Sequence, residues 1–314
     1  MKERFEYPPG LNQKFLRAKK LEWVTIGYLI TAAILMMVVM GNSQAMKTAW
    51  FEDVLSLTPP ISFLIASKFY LKPRNREFPF GYHRVVSIAY LCSALALFTI
   101  GVYLFSDSAI KLIEAEHPAI GTVVIFGEQV WLGYVMIAAL IYGSVPAIFL
   151  GMKKLPLAKE LHEKNLHTDA QMNKADWMTG VAAIVGILGI GLGWWWSDAA
   201  AAIIISFDII HDGARNLNQA VFDLMNQIPK TADNKNDEPL LKEISNILDK
   251  ESWIKDFKIR VREEGHIYYG EAFVIPENEK DLLPNIESTV DKVSKLNWLI
   301  YEFNVFPVSS LKNR

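Results

Sequence analysis

The chain has 314 residues, is 51% hydrophobic and carries a formal charge of −2. So small a net charge gives no electrostatic footprint for a nucleic-acid partner. Cys92 is the only cysteine, which excludes an internal disulfide and reads as packing.

Residues 1–22 are polar and basic, with Lys14, Arg17, Lys19 and Lys20, and read as a cytoplasmic N-terminal arm without a cleavable signal peptide. Apolar runs follow at 23–41, 46–70, 85–110, 130–150, 172–194 and 197–220. Each is long enough to cross ~30 Å of hydrocarbon, which predicts an α-helical polytopic membrane protein with six transmembrane helices over 23–228. Pro59-Pro60 and Pro146 remove backbone hydrogen bonds and predict kinks in the second and fourth helices. The second connection carries Lys68, Lys72, Arg74 and Arg76, and the fourth carries Lys153, Lys154, Lys159 and Lys164. The other three connections hold almost no basic residues, so both termini are expected in the cytoplasm. Gly193-Trp194-Trp195-Trp196 reads as an aromatic anchor at the opposite interface.

After Met225 the hydropathy falls. Residues 229–239 read as a linker and 240–314 as a small cytoplasmic α+β domain in the order αββαβ. A helix is expected over Leu240–Lys250 and strands over Ile254–Val261 and His266–Ile275. A second helix follows at Leu282–Leu296, and a third strand at Leu299–Val305. No nucleotide or catalytic motif is present, so the chain does not read as an enzyme.

The charges inside the apolar runs carry the functional signal. Glu52 and Asp53 lie in AWFEDVLSLTPP, where an unpaired charge at membrane depth is costly. Neighbours on a helix sit ~100° apart, so one of the two should line a site and the other pair with a polar or basic group such as Lys47. In HTDAQMNKADWMTG, Asp169 and Asp176 fall on one helix face, and Asn173 extends the stripe. Two acidic helices meeting inside a bilayer predict a cation site. On the sixth helix, Asp208, His211 and Asp212 share a face. Asp208 sits at a depth similar to that of Glu52 and either pairs with a neighbouring helix or serves the pocket or its proton path. His211 would then relay protons near neutral pH. His162 and His167 read as solvated, and Asp107, Lys111 and Glu114 as a surface ion-pair ladder.

The segment Phe78-Pro79-Phe80-Gly81-Tyr82-His83-Arg84 resembles the HPFGHGR-type segment of the cation diffusion facilitator family of metal exporters. The resemblance extends over nearly the whole chain: six spans, a basic second connection and an α+β tail. It implies a homodimer, exchange of a divalent cation for protons by alternating access, and a ferredoxin-like C-terminal domain. The family site is two side chains at i, i+4 on each of the second and fifth helices. Counting back from Gly81 places these at Glu52 and Ser56, and on the fifth helix at Met172 and Asp176. One carboxylate thus remains on each helix, beside a hydroxyl and a thioether.

The implied metal residues are Glu52, Asp53, Ser56, Met172, Asn173 and Asp176, with Asp169, Asp208 and His211 toward the pocket or proton path. The family's metal positions in the second connection read Asn75, Phe78 and Tyr82, with His83 beside them. The tail holds one histidine, His266, and no cysteine. The expected cargo is a divalent cation of the Mn²⁺, Fe²⁺, Zn²⁺ or Mg²⁺ class. Oxygen donors favour the harder ions, whereas the family average favours Zn²⁺. Protons, membrane lipid and a second copy of the chain are the other expected partners, in a bacterial inner membrane. The thinned ligand set also fits a non-transporting member that acts as a regulatory or partner subunit.

Overall fold

The structure, a computed structural model, describes residues 7–312 except Tyr70, 232–235 and His266. At Lys164, Thr168, Gln171, Lys174, Ala175 and Asp176 only the backbone is described. The helical part comprises α1 (Pro9–Val39), α2 (Gln44–Leu55), α3 (Thr58–Phe69), α4 (Val85–Ile113), α5 (Leu132–Leu161), α6 (Lys164–Gly191) and α7 (Ser197–Leu224). Among the described residues, α1, α4 and α5 are long and apolar enough to cross a membrane. α6 offers only the shorter apolar stretch Trp177–Gly191, because its first half is the polar run that carries Asp169 and Asn173. Large apolar side chains such as Trp23, Ile34, Leu95, Ile141 and Phe149 point outward, as lipid-facing helices require. α1 begins at Pro9, so the helix runs through much of what reads as a polar arm.

The expected second span is two helices rather than one kinked helix. α2 ends at Leu55 and α3 starts at Thr58, immediately before Pro59-Pro60. A helix running through would need the missing N–H of Pro59 to reach Leu55 O. Thr58 Oγ1 donates to that carbonyl instead, at 2.6 Å. The prolines then sit in the first turn of α3, where an absent N–H costs nothing. Pro146 leaves Tyr142 O free in the same way, and the Tyr28 hydroxyl of α1 takes it at 2.7 Å. α5 therefore continues through this proline, and the repair ties it to α1. Close approach holds the other pairs: a Cβ on Gly213 of α7 would lie 2.7 Å from Phe98 Cα of α4.

A hairpin that the hydropathy did not reveal, β1 (Thr122–Ile125) and β2 (Glu128–Trp131), precedes α5. Its two-residue turn places Phe126 and Gly127 at φ 51° and 89°, the double positive φ of a type I′ turn.

The C-terminal region follows the expected order: α8 (Leu240–Asp249), β3 (Ile254–Glu264), β4 (Ile267–Pro276), α9 (Leu282–Leu296) and β5 (Ile300–Pro307). β4 is central, antiparallel to β3 and parallel to β5. Leu240, Ile244, Leu248, Trp253, Val274, Val293 and Phe303 form its core, and Trp253 Nε1 donates to Thr289 Oγ1 at 3.2 Å. This apolar packing needs no ion. The isolated domain is therefore expected to show one urea midpoint with and without chelator; a midpoint that falls on metal removal would contradict this.

The sheet packs against one end of the helical part through Ile267, Tyr269 and Tyr301, which join a cluster with Phe15, Phe63, Val86 and Leu161. The Phe78–Arg84 segment is the joint. Tyr269 donates to Phe80 O at 2.7 Å, Arg74 binds Glu302 at 3.2 Å, and Arg84 binds Glu264 at 3.3 Å. Gly265, at φ 72°, lets the β3–β4 turn approach His83 O, which a Cβ there would meet at 2.9 Å. His162 and His167 are buried rather than solvated, and His162 Nε2 lies 2.5 Å from Tyr268 Oη.

Two groups make this joint sensitive to pH. Burial pushes the Glu163 carboxyl up to about 8, the Tyr7 hydroxyl opposes the rise, and Glu263 adds to it. Burial, followed by the Arg74 charge, lowers His83 to about 4. The raised Glu163 value means that its stabilisation is complete below the ordinary 4.5 and is lost as pH rises through about 8. His83 acts in the opposite sense: its contribution is present above 6.5 and is lost as pH falls through about 4. Protection of β4 amides, corrected for the intrinsic exchange rate at each pH, should therefore fall as pH rises from 7 through about 8, whereas below 6.5 the two groups oppose each other. Glu163→Gln should remove the alkaline limb alone; an unchanged alkaline limb would refute the assignment.

Candidate metal centre

The orientation of α2 is set at its N-terminus. Ser43 caps the helix by accepting from Met46 N at 3.1 Å and donates to Asp198 Oδ1 at 2.6 Å. Asp198, from the first turn of α7, also accepts the N–H groups of Gln44 and Ala45. Three of the orphan donors of α2 are thereby satisfied across two helices. Trp50 Nε1 donates to Ala33 O of α1 at 2.9 Å and fixes the rotation. Lys47 pairs with Asp107 of α4 at 3.2 Å, in company with Lys111, so it is not the partner of Asp53.

With α2 held in this way, Glu52 and Asp53 both line one small cavity, together with Met36, Ala49, Leu140, Ser144, Thr179 and Gly180. The expectation that only one of the adjacent carboxylates could face the site is thus corrected: the cavity lies between them. Thr179 Oγ1 of α6 donates to Glu52 Oε1 at 3.1 Å. Asp53 is 7% exposed, and among the described residues its Oδ2 meets no hydrogen-bond donor. Gly143 of α5 lets Met36 close one wall of the cavity, since a Cβ there would stand 2.6 Å from Met36 Cε. The charge is turned into a cavity walled by small and apolar groups, where a cation or a proton is the natural complement.

The other sequence-derived positions separate. The backbone places Asp176 three and four residues before Thr179 and Gly180, on the same face of α6; its side chain lies outside the described residues. Ser56 is buried and its hydroxyl finds no partner among the described residues, but it does not line the cavity. Met172 lines a different pocket, with Thr58, Ser62, Tyr90, Ser93 and Asn216. Asn173 donates to Asp169 Oδ1 at 3.0 Å, and Asp169 is paired with Lys154. Asp208 and His211 are exposed on α7 and line neither cavity. His266 lies outside the described residues. Thr179, Ser144, Gly143 and Gly180 were not anticipated, because small uncharged residues in an apolar run give no signal until a partner helix is known. Among the described residues, no group of three or more His, Cys, Asp or Glu is arranged around a metal position. The donors present are carboxylate and hydroxyl oxygens, which suit hard cations.

Comparison with known proteins matches the sequence to one family. Residues 23–225, well over half the chain, fit the model of the cation efflux transmembrane domain. The chain is similar to the uncharacterized transporter MJ0449 of Methanocaldococcus jannaschii, at 26% identity over 46% of this chain and 47% of that one. It is similar to the manganese efflux system protein MneS of Bacillus subtilis, at 21% identity over 63% of this chain and 66% of that one. The magnetosome protein MamB of Magnetospirillum gryphiswaldense is 27% identical over 49% of this chain and 48% of its own. The matches thus span between about half and 66% of these relatives' lengths. Members of the matched family are transporters rather than enzymes. The chain belongs to the cation efflux family, the group of cation diffusion facilitators that its sequence resembles.

Proposed function

We propose that this protein exports a divalent metal cation in exchange for protons, with Glu52 and Asp53 of α2 as the binding carboxylates and Asp176 of α6 as the third. The observation that carries the reading is the shared cavity, in which Glu52 and Asp53, whose Oδ2 meets no donor among the described residues, face Thr179 and Gly180 of α6. Deprotonated, the carboxylates bind the cation; once it leaves, protons take the same oxygens, so loading and protonation compete. Mn²⁺ is the favoured cargo. The oxygen donors support it, and so does the likeness to a protein named for manganese efflux.

In this reading, residues 23–228 form six spans, 229–239 a linker and 240–314 a ferredoxin-like domain. The protein is a homodimer in a bacterial inner membrane with both termini cytoplasmic. One observation favours a second reading, a non-transporting partner subunit: Ser56 and Met172 stand outside the cavity, so the family's four-ligand set is not assembled. Titration of the purified protein with Mn²⁺ in weak buffer separates the two. Transport by exchange predicts protons released on binding, and fewer from Asp53→Asn. Binding without proton release, or no binding, would overturn it.

A further inference from the structure

Away from the metal cavity, α1, α5 and α6 bury a second charged cluster that no step above uses. Lys154 Nζ lies 2.9 Å from Glu22 Oε2 and also contacts Asp169 Oδ2. Asn173 Nδ2 holds the other Asp169 oxygen at 3.0 Å. Glu22 and Lys154 are 0% exposed and Asp169 is 1% exposed. The charged groups that act on one another here are Glu22 from α1, Lys154 from α5 and Asp169 from α6.

Two carboxylates facing one ammonium leave a net negative charge in a buried site, and a buried unpaired charge is among the costliest features a fold can hold. Two further observations show what neutralises it. Lys154 Nζ holds one oxygen of each carboxyl, so Glu22 and Asp169 sit side by side on one ammonium, and two carboxylates that share a site do not both stay ionised. Glu22 Oε1 and Asn173 Oδ1, both fully buried, meet no donor among the described residues. A lysine at the centre repels a metal ion, so a proton is the species that completes the set.

The cluster is also connected to the metal cavity. On α6, Asp169, Asn173, Asp176 and Thr179–Gly180 follow one face, so the two sites lie ten residues, or ~15 Å, apart along one helix. Lys154 and Ser144 of α5, and Glu22 and Met36 of α1, border the same seam at its two ends.

We propose that Glu22 and Asp169 form a second proton-binding site, sharing one proton that exchanges with the metal cavity along the α1–α5–α6 seam during transport. Lys154 is the fixed counter-charge that keeps the proton number at one. Coupling to flux rests on the antiport reading above; the shared proton does not.

Infrared spectroscopy of the full-length protein reads the proton directly, and flux in reconstituted vesicles reads its use. Wild type should show, beyond the absorption of Glu163 and of the metal-cavity carboxyls, one more protonated-carboxyl band at neutral pH. That band should be lost in both Glu22→Gln and Asp169→Asn, since either leaves a single carboxylate on Lys154. Asp107→Asn, in the ion pair at the other end of the bundle, should leave it in place. Both cluster variants should lose most of the dependence of Mn²⁺ flux on the proton gradient. A band that survives in both variants overturns the shared proton. A band lost without change in the pH dependence of flux overturns its role in transport. If wild type carries no Mn²⁺ at all, the antiport reading fails, and the band still decides whether the proton is there.

Discussion

Vesicles carrying Glu52→Ala should take up Mn²⁺ no faster than protein-free vesicles. Glu52 and Asp53 are the two described carboxylates on the cavity, and Glu52 is the one that α6 grips through Thr179. Its removal discards half of that anionic charge and the contact between the two helices. Loss of an outer-shell partner costs metal sites about 10–100-fold, so loss of a ligand should cost about 100-fold or more in affinity. Thr179→Ala, which keeps the charge and loses only the hydrogen bond, should fall at about 10-fold. Asp176→Ala should match Glu52→Ala, because its place on α6 puts it one turn from Thr179. All three proteins should keep the helical content and oligomeric state of wild type. Normal flux from Glu52→Ala would remove the cavity from the transport path.

The largest effect on stability is expected from Lys154→Met. Among the described residues the ammonium is the only cation in the buried cluster, and it holds α1, α5 and α6 together through Glu22 and Asp169. Removing one member of a buried ion pair typically costs about 3–5 kcal/mol, because the partner charges remain behind without compensation. Replacing the whole set, Lys154→Met with Glu22→Gln and Asp169→Asn, removes these three charges from the cluster and should recover most of that loss. Thermal unfolding in detergent, followed by circular dichroism, measures both. Equal melting temperatures for wild type and Lys154→Met would show that the cluster does not hold the helices together.

Much of the frame was legible because it depends on local pattern. Alternation and turn residues gave β3, β4 and β5 within a few residues, and the apolar runs gave α1, α4 and α5. The break at Ser56–Leu57 was half legible. The prolines announced it, but only the Thr58 bond to Leu55 O shows why the helix ends before them rather than bending through them. What stayed hidden depends on partners far apart in sequence. Lys154 looked like one more basic residue of a connection, and Glu22 like the end of a polar arm. They are 132 positions apart, and nothing local links them.

Asp208 shows the converse. Position along a helix does not fix direction. The buried face of α7 runs through Ala201, Ile205, Ile209 and Gly213, and Asp208 falls off it. The two carboxylates of α2 show the same limit. The angle between neighbouring residues was right, but a cavity wide enough to lie between Glu52 and Asp53 collects both.

The most direct test of exchange through this cavity is a two-way flux measurement in sealed vesicles that contain a pH-sensitive dye. An inward Mn²⁺ gradient imposed on wild-type vesicles should drive protons outward in step with metal entry, and an imposed pH gradient should drive Mn²⁺ in the absence of a metal gradient. Vesicles with Glu52→Ala should do neither. Mn²⁺ entry without proton movement, or equal exchange by wild type and Glu52→Ala, would contradict the account.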